Sequence, residues 1–109
     1  MYSVNTLEHF DRELKKLAKK YPSIGTDLKK LVGTLIENPF QGDNLGKDCF
    51  KVRMAISSKN KGKSGGARVI TCVKITGETI TLLSIYDKSV QTDIADGLLQ
   101  QLLQQNGLL

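Results

Sequence analysis

Metal-binding side chains are scarce in this chain. Its 109 residues include two cysteines, Cys49 and Cys72, and one histidine, His9, too few for a convincing zinc site. Both cysteines sit in strand-like contexts, where a reduced thiol acts as a small apolar filler. Long apolar runs are missing too, and none approaches the roughly 18 to 20 residues of a membrane span. The opening Met1-Tyr-Ser-Val-Asn-Thr lacks the charged, then apolar, then small-residue order of a secretory signal. A cytoplasmic protein with reduced thiols, no membrane association and no metal or other cofactor is therefore expected. With 39% hydrophobic and 25% charged residues, the chain is neither disordered nor fibrous. Its length suits one domain, residues 1–109, around one core. Repeats and linkers are absent, and the only biased stretch is the glutamine- and leucine-rich tail.

Acidic residues are nearly absent where basic ones crowd. Between Lys47 and Lys74 the cations are Lys47, Lys51, Arg53, Lys59, Lys61, Lys63, Arg68 and Lys74, and the one acid is Asp48. This segment is more positive than the whole chain, which carries a net charge of +5. Focused positive charge points to a phosphate-bearing partner.

Apolar periodicity orders the elements. A short strand is expected near Tyr2 to Val4. Leu7, Phe10, Leu14, Leu17 and Tyr21 recur at helical spacing, with Asn5 and Glu8 spaced as a capping box and Pro22 disfavouring helix at Tyr21. Ile24, Leu28, Leu31, Val32, Leu35 and Ile36 mark a second helix, closed by Asn38-Pro39. So short a link predicts an antiparallel helix hairpin. From residue 49 the period becomes two. Phe50, Val52, Met54 and Ile56 alternate with Lys51, Arg53, Ala55 and Ser57, which sets Lys51 and Arg53 about 7 Å apart on the other face of a strand. Residues 67 to 75 and 79 to 86 read as further strands joined by a tight turn at Gly77-Glu78. Lys59 to Gly66 is a glycine-, serine- and lysine-rich loop that fits neither the Walker nor the dinucleotide fingerprint. Ile94, Leu98, Leu99, Leu102 and Leu103 predict a last helix, stopped at Asn106-Gly107. Leu99, Leu103, Leu108 and Leu109 exceed what one stripe needs and offer a docking surface for a partner or a second copy. The fold class expected is α+β: a helix hairpin on an antiparallel sheet of three to four strands, with a C-terminal helix.

The order of elements, the Lys51-Val-Arg53 strand, Gly62-Lys-Ser-Gly-Gly-Ala-Arg-Val-Ile70 and Leu83-Ser-Ile-Tyr-Asp-Lys-Ser89 resemble the toxins of RelE/ParE-type toxin-antitoxin pairs, closest to the RelE and HigB branch. The resemblance spans about Phe10 to Leu103, and the glycine-arginine run is its most specific part. It implies a toxin that enters the ribosomal A site and cleaves translated mRNA, held inactive by an antitoxin, with a homodimer or a toxin-antitoxin heterotetramer as the assembly.

Metal-free RNA cleavage needs the ribose 2′-hydroxyl to attack the neighbouring phosphate, a proton acceptor, charge stabilisation and a donor to the leaving oxygen. The resemblance assigns Arg68 to the phosphate oxygens, which a guanidinium fork suits, and Lys51 and Arg53 to the paired basic positions. Lys51 is the candidate base, since crowding by cations disfavours its protonated form. Lys88 and Tyr86 follow as a further basic group and a hydrogen-bond donor or stacking platform. A tyrosine that some RelE-branch members carry further along matches Ile94 here. Lys59, Lys61 and Lys63 are expected to hold the RNA backbone. The lysines of the helix hairpin read as a solvated face, with ribosomal RNA as the other reading, and His9 as a surface or hairpin residue. Two other functions stay open: a ParE-like inhibitor of DNA gyrase, and a nonenzymatic RNA-binding or degenerate toxin.

Overall fold

A computed structural model describes residues 1–60 and 62–109. The chain runs β1 (Ser3–Thr6), α1 (Glu8–Lys20), α2 (Ile24–Glu37), β2 (Asp43–Gly46), β3 (Cys49–Met54), a 3-10 turn (Ser57–Lys59), β4 (Ala67–Lys74), β5 (Thr79–Asp87) and α3 (Asp96–Gln105). The five strands form one sheet in the order β1-β5-β4-β3-β2. The α+β class, the helix hairpin and the C-terminal helix are as expected, while the sheet is larger than expected and mixed. β1 lies parallel to β5, and β2 adds an edge against β3. Asp43-Asn-Leu-Gly46 has no alternating pattern to announce a strand.

Two apolar clusters show why this order of elements is stable. Phe10, Leu31, Leu35, Val52, Met54, Val69, Val73, Ile80, Leu82 and Ile85 pack between the helix hairpin and one sheet face. Cys49, Ile70, Cys72, Leu83, Tyr86, Ile94, Leu102 and Leu103 pack between the other face and α3. In β4 alternate residues serve the two clusters, which is why seven of its eight residues are buried. Each large apolar side chain fully buried there contributes about 1.5–3 kcal/mol. The leucine tail is mostly consumed by this packing: Leu103 is fully buried and Leu99 and Leu108 lie against the second cluster, so Leu109 alone among them is exposed.

Two local features differ from the sequence reading. α1 begins after Leu7, which has extended geometry and makes no side-chain cap, while Asn5 belongs to β1, so the expected capping box does not form. In β5 the register against β4 shifts between Ile70 and Thr71, whose partners are Ser84 and Leu82. Leu83 is the extra residue of a bulge. Glu13 of α1 stabilises it: its carboxylate accepts from Ser84 Oγ at 2.7 Å and from the Ile85 backbone N–H at 3.1 Å. His9, one turn earlier, comes within 3.1 Å of the same oxygen.

The lysine loop returns to the sheet at Gly66, where no side chain fits. A Cβ there would stand 2.2 Å from the Met54 carbonyl oxygen, a rigid backbone atom of the neighbouring strand. Gly66→Ala is expected to lower stability by about 1–3 kcal/mol. Gly33→Ala, in the interior of α2 with open space around the new methyl, is expected to raise it by about 0.5–1 kcal/mol. Urea unfolding of both variants checks the pair.

Candidate active site on the sheet face beside the last helix

The antiparallel register brings the basic residues together. Arg53 of β3 lies directly opposite Arg68 of β4, and Arg68 directly opposite Tyr86 of β5. The three form one row across adjacent strands, and Lys51, two residues along β3, is on the same face. Tyr86 joins them only because of the bulge. Ile80 and Leu82 face the helix hairpin, so unbroken alternation would send residue 86 there too; the extra residue turns Ile85 and Asp87 to that side and Tyr86 to the other.

The members of this row differ in environment. Arg68 is only 4% exposed. Its Nη1 donates to the Lys63 and Ala67 carbonyls at 3.0 and 3.1 Å, and it has no carboxylate partner among the described residues. Two fixed carbonyls orient this guanidinium, and its other nitrogens have no protein acceptor among those residues. Arg53 is exposed and borders a cavity of about 280 Å3 between α2 and the end of β3, to which Lys30 and Lys63 also contribute. Lys51 is half-buried, with Nζ 3.6 Å from Asp93 Oδ1. The Tyr86 hydroxyl donates to the Thr92 carbonyl at 3.4 Å. Burial raises its pKa, Asp93 adds to the rise, and Arg68 opposes it, so the Tyr86 hydroxyl stays protonated at neutral pH.

The remaining candidates divide. Lys63 and Lys88 are exposed and without ion-pair partners among the described residues. The Lys88 backbone N–H is tied to the Gly66 carbonyl at 3.0 Å, at the root of the loop. Lys61 lies outside the described residues. Lys59 points inward: Nζ donates to Asp87 Oδ1 at 2.8 Å in an ion pair whose side chains are 10% and 3% exposed.

Asp87 gathers three segments. It accepts from Tyr21 Oη at the end of α1, from Lys59 in the 3-10 turn, and from the backbone N–H and hydroxyl of Ser89. Burial by itself would raise its pKa, yet these bonds outweigh burial and hold the carboxyl well below the usual range. Asp27 of α2 is a second anchor, accepting from Ser23 Oγ and from the Ser57 backbone N–H and hydroxyl. Burial opposes ionisation there as well, and the Ser57 and Ser23 bonds and the Lys30 charge lower the pKa. Both acids hold the start of the lysine loop, whose Lys63 carbonyl orients Arg68. Sequence reasoning missed Asp27, Asp87 and Asp93. Their one signal was an acid placed next to a predicted element end.

Asp87→Asn leaves Lys59 buried without its counter-charge and is expected to lose about 3–5 kcal/mol at pH 7. A carboxyl with a depressed folded-state pKa contributes its stability above the unfolded value of about 3.9 and loses it as pH falls below that. The gap between the native chain and Asp87→Asn should therefore narrow between about pH 4 and pH 2 in urea unfolding. A constant gap would contradict the assignment.

No known family profile matches this chain, and no curated protein matches it. Solved structures do. The isolated E. coli RelE toxin superposes with a TM-score of 0.62 at 18% identity, over 96% of this chain and 99% of that one. The toxin of the intact E. coli RelBE toxin-antitoxin complex gives a TM-score of 0.62 at 21% identity, over 80% and 96%. A metal-bound toxin from Helicobacter pylori gives 0.54 at 18% identity, over 84% and 99%. At these identities the likeness is one of backbone architecture: the chain has the RelE-like fold.

Proposed function

We propose that this chain is the toxin of a toxin-antitoxin pair and an endoribonuclease that cleaves mRNA on the ribosome. The observation that carries the reading is the row Arg53, Arg68 and Tyr86 with Lys51 beside it, four groups suited to a phosphodiester on one face of a RelE-like sheet. Arg68 meets the non-bridging oxygens of the scissile phosphate with the nitrogens that its backbone carbonyls leave free. A guanidinium already oriented loses little freedom as charge builds on the phosphorus. Arg53, exposed at the end of the row, clamps the neighbouring phosphate.

Proton transfer falls to Lys51 and Tyr86. Lys51 is the candidate acceptor from the 2′-hydroxyl once RNA entry has freed it from Asp93 and its ammonium has given a proton to solvent, and Tyr86, protonated at neutral pH, donates toward the departing 5′-oxygen. Lys63 and Lys88 remain solvent-facing contacts for the RNA backbone. Lys59 contributes by fixing the loop through Asp87. The cell compartment is the cytoplasm, the chain acts as one domain, and the partners are the translating ribosome, its mRNA and an acidic antitoxin. An inhibitor of gyrase that works by protein contact has no need of converging cations, so the row favours the nuclease.

In a translating extract the purified chain should cut mRNA within codons. Arg68→Ala should reduce the cutting at least about 100-fold, and Arg68→Lys, which keeps the charge without the fork, should recover part of it. Mapping mRNA 5′ ends, with circular dichroism confirming folded variants, gives the readout. Unbroken mRNA together with inhibited gyrase supercoiling would overturn the proposal.

A further inference from the structure

The proposed site makes no use of Cys49 and Cys72, and both are completely buried. They are direct cross-strand partners in the β3–β4 register. The Val73 backbone N–H donates to the Asp48 carbonyl at 2.8 Å, so residues 48 and 73 are the hydrogen-bonded pair. The adjacent pair, Cys49 and Cys72, is then of the non-hydrogen-bonded kind, in which side chains approach most closely. Such pairs have Cα atoms about 4.5 Å apart, inside the range of about 4.4–6.8 Å that a disulfide spans without backbone movement. Both side chains point to the α3 side, in the cluster with Ile70, Leu83 and Leu103.

We infer that Cys49 and Cys72 are a redox-active dithiol that closes to a cross-strand disulfide by exchange with a low-molecular-weight disulfide. The thiols are unequal. Contact with Cys72 keeps the Cys49 proton in place, and the Lys47 carbonyl at 3.4 Å is a second acceptor for it. Contact with Cys49 lowers the pKa of Cys72, with burial opposing and the Lys74 ammonium assisting, and this inequality assigns the first attack to Cys72. It displaces one thiolate from the reagent's disulfide and forms a mixed disulfide. Cys49, losing its proton, attacks the Cys72 sulfur and expels the second thiolate. Two protein thiols are oxidised, one disulfide is reduced, and the two protons leave on the two thiols released.

α3 covers the pair with side chains of Leu102 and Leu103 and is tied to the β2–β3 turn through the Lys47–Gln100 hydrogen bond, so the reagent reaches the thiols when α3 lifts from the sheet. The bond formed would enclose the whole lysine loop and staple the strands carrying Lys51, Arg53 and Arg68. The inference holds whether or not the chain cleaves RNA.

The test is incubation of the purified native chain with oxidised glutathione, followed by alkylation of free thiols, mass spectrometry and thermal unfolding. Loss of both alkylation sites without retained glutathione is expected, with a rise in Tm on the order of 10 °C that dithiothreitol reverses. Cys49→Ser should instead retain one glutathione, on Cys72. Two thiols that stay free in the folded chain while both oxidise in urea would overturn the inference. So would a stable glutathione adduct on the native sequence.

Discussion

The buried carboxylate of Asp87 is the constraint around which the functional end of the molecule is organised. It ends β5, and the bonds it accepts come from Tyr21 closing α1, Lys59 in the turn after β3 and Ser89 beginning the connection to α3. An ionised carboxylate in so dry a place requires all of these donors, since an unpaired one would cost several kcal/mol. The requirement works in reverse as well: each donor segment is fixed relative to β5, and through it to the sheet. Asp27 does the same for the first residues of the turn. A loop rich in glycine, serine and lysine would otherwise have little to order it. Held at its root, it presents the Lys63 carbonyl to Arg68.

The second constraint is the bulge at Leu83. One residue inserted in β5 turns Tyr86 toward Arg68 and Asp87 toward the helix hairpin, so a single register shift supplies both the site and its anchor. Glu13 braces the shift, its carboxylate accepting from the Ser84 hydroxyl and from the Ile85 N–H beyond the end of β1. α1 thereby contributes, through Glu13, to the register that sets what the row contains. Bulges beside active sites serve this purpose in many sheets.

How much of this was legible depended on range. Helices with clear apolar stripes, such as Leu28, Leu31 and Leu35, were visible because helical period is local. That Lys51, Arg53 and Arg68 could converge was legible if their strands paired antiparallel across the loop, whereas the direct facing of Arg53 and Arg68 needed the register that the fold sets. Asp43–Gly46 was not legible, because a short edge strand paired by backbone alone needs no side-chain pattern. The side of the sheet that Tyr86 takes could not be read either, since two successive leucines in a strand do not say which is extra. Lys59 looked like the other loop lysines, and only the fold shows that its partner is Asp87, 28 residues further on. The capping-box reading of Asn5 and Glu8 failed for a similar reason: β1 claims Asn5 through pairing with a strand some 75 residues away.

If the row of cations and a tyrosine directs a ribose 2′-hydroxyl onto its own phosphate, as proposed, the ends of the cut RNA carry the signature: a 2′,3′-cyclic phosphate on the upstream fragment, a free 5′-hydroxyl on the downstream one, and no cutting where the nucleotide before the scissile bond carries a 2′-deoxy substitution. A 3′-hydroxyl with a 5′-phosphate, or equal cutting of the 2′-deoxy substrate, would contradict it.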